Sequence, residues 1–274
     1  MLSFCILSSG SSGNAAIIQT DLASILIDCG IGAKSIISQL NDLEINPKDL
    51  TAVVLSHAHS DHLNPSALNF LIKNDIPIYA NSAVLDDLYY KFGGKMDDCQ
   101  TRAFGESFKI KDIDIESFRT YHKDNYISGS FGFTFSAVSG GQTYKIGFIT
   151  DTGKICPKIA DKLKDSHILT IEANYDYELL ETSFRRQGNK DWIAGDYGHL
   201  SNEDCAKSIL EIKKLSKVQN SLKHIFLAHL SAQHNTQIRA LQTVSQILKD
   251  CAFAEGTNIL AADRHKKTEK IRID

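Results

Sequence analysis

Short apolar runs and amphipathic stretches alternate along this 274-residue chain from one end to the other. An apolar run bounded by turn residues reads as a buried strand, and an apolar period of 3.6 residues reads as a helix. On this basis 2–7, 15–19 and 24–28 are predicted strands. They are broken by Ser8-Ser9-Gly10-Ser11-Ser12-Gly13-Asn14, whose small residues signal tight turns. Residues 33–43 carry a helical period and 51–56 a strand pattern. Asn64 then offers an N-cap, with Pro65 at the first helical position, for a helix to about residue 73. A strand at 76–80 and a helix capped by Ser82, running to about 91, follow.

The middle of the chain is mostly β, with strands predicted at 104–109, 113–119, 131–137 and 144–150. Ser139-Gly140-Gly141 makes a hairpin turn between the last two. Beyond them come a helix at 157–164, a strand at 168–172, a loop over 182–198 and a helix from Ser201 to about 215. Ser201 is the N-cap of that helix. A strand at 225–228, a helix at 236–250 and a short strand at 258–261 complete the pattern. Strands first, helices interleaved, then the same order again predict an α/β protein. Two pseudo-equivalent βα halves would form one domain over residues 1–274, packed sheet to sheet with helices on the outer faces.

Composition narrows the class without naming the chemistry. Apolar and charged fractions of 42% and 23% are ordinary for a globular protein. A net charge of −3 gives no global case for nucleic acid, so any such binding must rest on a local basic patch. The basic run Arg264-His265-Lys266-Lys267 is one candidate, although charge runs near termini are usually solvated. The cysteines at 5, 29, 99, 156, 205 and 251 form no C-x-x-C pair and read as reduced thiols, hence a cytoplasmic protein. Met1-Leu2-Ser3-Phe4-Cys5-Ile6 lacks the basic start and the apolar length of a signal peptide, and no segment has the apolar length of a membrane span.

The chemistry is concentrated in His57-Ala58-His59-Ser60-Asp61-His62, directly after the apolar run 51–55. His57 and His59 are two apart, so an extended backbone points both to one side. Imidazole nitrogens with a hard carboxylate suit zinc, manganese or iron. Three later residues repeat the placement at a strand end: His122 after 115–121, Asp151 after 146–150, and His229 after 225–228. Together they supply enough donors for two coordination spheres.

With Asp28, Thr150-Asp151-Thr152-Gly153 and Ala228-His229-Leu230-Ser231, the His57–His62 motif resembles the metallo-β-lactamase fold superfamily. Three further segments resemble its bacterial YycJ/WalJ-like branch. They are Leu7-Ser8-Ser9-Gly10-Ser11-Ser12-Gly13-Asn14-Ala15, Glu172-Ala173-Asn174-Tyr175-Asp176 and Gly198-His199-Leu200-Ser201-Asn202-Glu203-Asp204. The resemblance implies an αββα sandwich of two mixed β-sheets. It also implies two divalent ions (Zn, Mn or Fe), one held by His57, His59 and His122, the other by Asp61, His62 and His229, with Asp151 bridging. Asp28, Asn174 and Tyr175 would stand behind these ligands, Asp28 by hydrogen-bonding an imidazole or a backbone amide. The chain departs from the branch at Tyr175, where relatives carry His, and at Lys123-Asp124-Asn125 after His122. Tyrosine keeps a hydrogen-bond donor but is a poor acid at neutral pH. Cys29, beside Asp28, reads as a small apolar residue.

Two cations about 3.5–4 Å apart that share a water lower its pKa towards 7, which explains hydrolysis without a nucleophilic side chain. Asp61 and His199 are the candidate catalytic side chains. Ser201 and Asn202, at a helix N-terminus, and the pair Arg185-Arg186 are candidates to hold phosphate. With the resemblance, whose branch members degrade DNA from the 5′ end, they predict a metal-dependent phosphodiesterase or 5′ to 3′ DNA exonuclease. The alternatives are a hydrolase of a thioester or a cyclic phosphate ester, and a decayed metal-binding regulator. Thioesterases of the superfamily usually carry an added C-terminal helical domain, for which this chain shows no pattern. The cyclic phosphodiesterases often carry a cysteine-rich zinc site, which it lacks, and the intact ligand set argues against decay.

Overall fold

The computed structural model describes residues 1–122, 129–218, 221–251, 253 and 256–273. The departure from the branch at Lys123-Asp124-Asn125 lies outside them. Strands β1 (Leu2–Ser8), β2 (Ala15–Gln19), β3 (Ser24–Ile27), β4 (Ala52–Val54), β5 (Ile78–Asn81) and β6 (Thr101–Phe104) build the first sheet. A last short strand, β14 (Ile271–Ile273), closes its edge against β1. The second sheet runs from β7 (Ser107–Ile110) through β8 (Ile113–Arg119), β9 (Phe131–Ser139), β10 (Gln142–Ile149), β11 (Ile168–Glu172) and β12 (His224–Ala228) to β13 (Asn258–Ala261). Both sheets repeat one plan: three antiparallel pairings, then three parallel ones.

Helices flank the sheets. α1 (Ala33–Asp42), α2 (Pro65–Lys73) and α3 (Ser82–Phe92) belong to the first half, and their buried side chains join the core cluster of the first sheet. α4 (Pro157–Leu163), α7 (Asn202–Leu215) and α8 (Gln237–Asp250) cover the second sheet. Between them come two short helices, α5 (Tyr177–Glu181) and α6 (Gln187–Ile193). Inner strands such as β3, β4, β11 and β12 are buried on both faces, whereas edge strands such as β6 and β7 are partly exposed, and side chains alternate between the faces. Along β12, Phe226 points into the layer between the sheets, 5.6 Å from the ring of Phe4, while Ile225 and Leu227 pack outward under the helices. This is the expected αββα sandwich.

Several local expectations need correction. The run 104–109 is not one strand: the chain leaves the first sheet at Phe104 and enters the second at Ser107, because β6 pairs with β5 and β7 with β8. The N-cap of α3 is Asn81, whose side chain accepts from Ala83 N–H, rather than Ser82. The stretch 182–198 contains α6 instead of being loop throughout. The N-caps Asn64 and Ser201 stand as expected.

Strand direction decides where the site forms. β10, β11 and β12 run parallel, and β8 shares their direction because two antiparallel steps, through β9, separate it from β10. β3 and β4 are parallel to each other in the first sheet. The residues following these strands therefore collect along one edge, the usual place for ligands in sheets of this kind.

Candidate metal centre

Asp28 follows β3, Ser56 and His57 follow β4, His122 follows β8, Asp151 follows β10 and His229 follows β12, while Glu172 is the last residue of β11. Asp28, Asp151 and His229 adopt left-handed backbone, with φ of 57°, 54° and 55°. Such conformations cost about 1–3 kcal/mol each in a non-glycine residue and gather at functional sites. Here they turn the side chains away from the strand and into the shared edge.

A common arrangement orients the imidazoles. Nδ1 of His62 donates to Asp28 Oδ2 at 2.7 Å, Nδ1 of His229 to Glu172 Oε1 at 2.7 Å, and Nδ1 of His122 to the Gly198 carbonyl at 3.0 Å. Each acceptor fixes the proton on Nδ1 and leaves Nε2 for the centre. Asp28 also accepts from the Ser56 backbone N–H and hydroxyl, and Asn174 donates to the His229 carbonyl at 2.8 Å. His57 is held through Nδ1 by the Ser56 hydroxyl at 2.9 Å, and its Nε2 meets Nδ1 of His59 at 2.9 Å. The ring of His122 stands 6.0 Å from that of His57 and 5.8 Å from that of His59.

At the middle, Nε2 of His62 is 3.6 Å from Asp61 Oδ2 and 3.3 Å from Asp151 Oδ2. Nε2 of His229 is 3.5 Å from Asp61 Oδ2 and 3.6 Å from Asp151 Oδ1. Although so close to other polar atoms, Asp151 Oδ2 and His229 Nε2 are buried without a hydrogen bond. Buried polar atoms left in that state are rare and need a reason. Two donors each about 2.1 Å from one ion at a tetrahedral angle lie about 3.4 Å apart, the spacing seen here. The donor set therefore fits a divalent cation. Donor atoms come together within 4.8 Å in three groups: Asp61, His62 and His229; His57, His62 and Asp151; and Asp151, Glu172, His199 and His229.

Electrostatics follow from burial and from the carboxylates. Burial drives His57 well below the ordinary imidazole value, with His62 adding to it, and it lowers His122 as well. Burial also opposes charge on His62, but Asp28, Asp151 and Asp61 outweigh it and hold this imidazole well above its usual range. His229 is raised in the same way, by Asp151, Asp61 and Glu172 against burial. Glu172, which burial alone would raise, is pulled down to about 2 by His199 and His229.

The remaining predicted residues divide. His199 joins the site: its Nδ1 lies 2.8 Å from Glu172 Oε1 and its ring 5.0 Å from that of His122. Ser201 and Asn202 face inward. The Ser201 hydroxyl is bound to Asp204 at the cap of α7, and buried Asn202 pairs with Asn235. Their polar groups are committed to the fold rather than offered to a phosphate. Arg185 is tied to His234 and Gln233, and Arg186 precedes α6 on the surface. Tyr175 packs in an apolar cluster with Leu180 and Ile193, where burial raises its phenol, so it does not sit behind a ligand as Asn174 does. Cys29 is fully buried in the core. In the basic run, Arg264 donates to the Ser231 carbonyl and Lys267 pairs with Asp42.

Three participants carried no predicted role. Glu172 ends a strand as Asp28 does, which was the available signal. The Asn14 amide lies 3.1 Å from His62 Nε2, and Trp192 stands 6.0 Å from His122 and 5.7 Å from His199, ring to ring. Asn14 lies in a segment that resembles the branch but carried no assigned role, and Trp192 had no local pattern to mark it.

Comparison with known proteins agrees with this geometry. The sequence profile described as beta-lactamase superfamily domain matches residues 23–244. The exodeoxyribonuclease YycJ of Bacillus anthracis is 30% identical over 262 residues, 93% of this chain and 92% of that protein. The exodeoxyribonuclease WalJ of Streptococcus pneumoniae serotype 2 is 31% identical over 268 residues, 97% of this chain and 95% of that one. Among solved structures, the metallo-beta-lactamase fold protein YhfI of Bacillus subtilis shares the fold, with a TM-score of 0.69 over 97% of this chain and 98% of that one at 14% identity. A diphosphatase of the PhnP family gives 0.66 over 98% of both chains, also at 14% identity. With four-fifths of its length matched by the family profile and near-complete coverage of its relatives, the chain belongs to the beta-lactamase superfamily, on the metallo-β-lactamase fold.

Proposed function

We propose that this protein is a metal-dependent phosphodiesterase that degrades DNA from a 5′ end, with both halves of residues 1–274 acting as one catalytic unit. The observation that carries the reading is the buried pair of unsatisfied atoms, Asp151 Oδ2 and His229 Nε2, at the centre of a cluster of imidazoles and carboxylates. Similarity over nearly the whole chain to proteins named exodeoxyribonucleases supports the choice of substrate. Free cysteines support a reducing, cytoplasmic setting. Among the described residues, no helix is long and apolar enough to cross a membrane.

In this reading His57, His59 and His122 would hold one cation and Asp61, His62 and His229 a second, with Asp151 placed to contribute to both. Zinc, manganese or iron bound there would acidify a water and draw charge from the phosphoryl oxygens. Asp61, partly buried at the mouth, turns Oδ2 to Nε2 of His62 and His229, which leaves Oδ1 as the oxygen that would take a proton from an attacking water. Glu172 fixes His199 through Nδ1, which leaves Nε2 as the nitrogen available to a substrate phosphoryl oxygen. The burial of His57, His62 and Asp151 keeps bulk water from competing at the inner side.

The test is cleavage of 5′-labelled and 3′-labelled DNA, duplex and single-stranded, by protein loaded with manganese. Products released stepwise from the 5′ end are expected. Failure to cut either form by a fully metallated protein, together with turnover of another ester class, overturns the reading.

A further inference from the structure

A groove of about 1140 Å³ opens beside His122, on the β8 side of the site. Phe118, Arg119, Tyr121, Lys158 and Tyr197 line it along with His122. It is larger than the roughly 300–1000 Å³ that accommodates a single small ligand. Its walls combine aromatic faces with cations. The rings of Tyr121 and Tyr197 stand 5.9 Å apart, and Nζ of Lys154, which is paired with Asp196, lies 4.6 Å over the first of them. Tyr197 is 52% exposed. Arg119 and Lys158 are exposed and have no ion pair among the described residues, whereas Lys162, further along, pairs with Glu116.

We propose that this groove carries the single-stranded segment of DNA leading away from the candidate metal centre, with Tyr121 and Tyr197 stacking its bases and Arg119 and Lys158 pairing with its phosphates. Aromatic platforms alternating with cations along an open channel bind single strands without regard to sequence, because every base has a face and every linkage a charge. The groove reaches the edge of the centre at His122, a candidate ligand that is also one of its lining residues. Local charge thus reconciles a net charge of −3 with a polyanionic substrate. The nature of the occupant rests on the nuclease reading above, but binding can be measured without turnover.

The experiment is fluorescence anisotropy of the full chain with labelled phosphorothioate oligodeoxythymidylates of two and eight residues. The longer strand is expected to bind at least about tenfold more tightly, with a clear weakening in salt. Combining Tyr197→Ala with Lys158→Glu, both at exposed positions, is expected to abolish that length advantage. Equal affinity for the two lengths overturns the proposal, as does an advantage that survives both substitutions. A protein that cuts a minimal phosphodiester but shows no length advantage loses the groove and keeps the hydrolase. One that binds by length and cuts no phosphodiester keeps the groove and loses the nuclease.

Discussion

Oε1 of Glu172 lies 2.7 Å from Nδ1 of His229, so the last residue of β11 holds the residue that follows β12. The parallel register pairs Glu172 with Ala228, one position before His229, and the left-handed backbone at His229 swings its ring back over that carboxylate. The same oxygen takes Nδ1 of His199 at 2.8 Å. One buried carboxylate thus orients two imidazoles of the site. Glu172→Gln keeps the shape and removes the charge. It is expected to weaken divalent-metal binding about 10–100-fold while the fold stays intact. Competition titration against a chromophoric chelator measures this, and unchanged affinity contradicts the role.

Asp61 stands at the mouth, within 3.6 Å of two imidazole nitrogens. Asp61→Ala is expected to leave the circular dichroism spectrum unchanged, reduce bound metal, and lower turnover by at least about a hundredfold. A variant retaining wild-type turnover removes Asp61 from the chemistry.

Metal uptake is expected to release protons. Against burial, the surrounding carboxylates hold His62 and His229 well above the ordinary imidazole range, which favours their charged forms in the metal-free protein. An imidazole must be neutral to ligate, so affinity falls as pH falls. For folding of the metal-free chain, raised pKa values give a contribution fully present below the unfolded value, about 6.5. That contribution is lost as pH rises through the folded values. Calorimetric titrations in buffers of different ionisation enthalpy count the protons, and uptake without release at pH 7 refutes a charged His62 and His229.

Chelation tests the fit of the centre through stability. A cation present at a hundred times its dissociation constant stabilises the fold by about 2.7 kcal/mol. In a chain of this size that raises the melting temperature by about 5–10 °C. Stripping and restoring zinc or manganese in a thermal melt measures the shift. No shift with any of the candidate metals counts against a site at Asp151 and His229.

Gly30 packs where the loop after β3 meets the ligand loop: a Cβ there would overlap the carbonyl oxygen of Asp61. Gly30→Ala should therefore displace the backbone carrying Asp61 and His62. Lower thermal stability together with weaker metal binding is expected. Wild-type values for both indicate that the loop gives way without consequence.

Much of this was legible in the sequence because it depends on local pattern. Pro65 after Asn64 and Ser201 before an amphipathic stretch mark helix starts through backbone chemistry that needs no distant partner. The apolar runs ending in Asp28, Asp151 and His229 are strands in any fold that buries both faces of a sheet. What local pattern lacks is pairing. Residues 104–109 look like one strand, yet they are the crossing between the sheets, since nothing within them says that Phe104 bonds to β5 and Phe108 to β8. β14 is three residues long and is defined by its partner β1 alone. Helix α6, short and mostly exposed, has too little apolar period to announce itself.

The sequence by itself determined the donors: imidazoles and carboxylates at strand ends, in a chain with enough apolar runs to build two sheets. Only the tertiary structure decided their company. Strand direction brought six strand ends to one edge, and burial there raised the cost of every unpaired polar atom. It assigned Glu172 to His229 and His199, turned Ser201 and Asn202 into the fold, and set Tyr175 among Leu180 and Ile193. Side-chain chemistry is a property of the residue. Which groups must satisfy one another depends on distances between residues far apart in the chain, and those exist only once the sheets have formed.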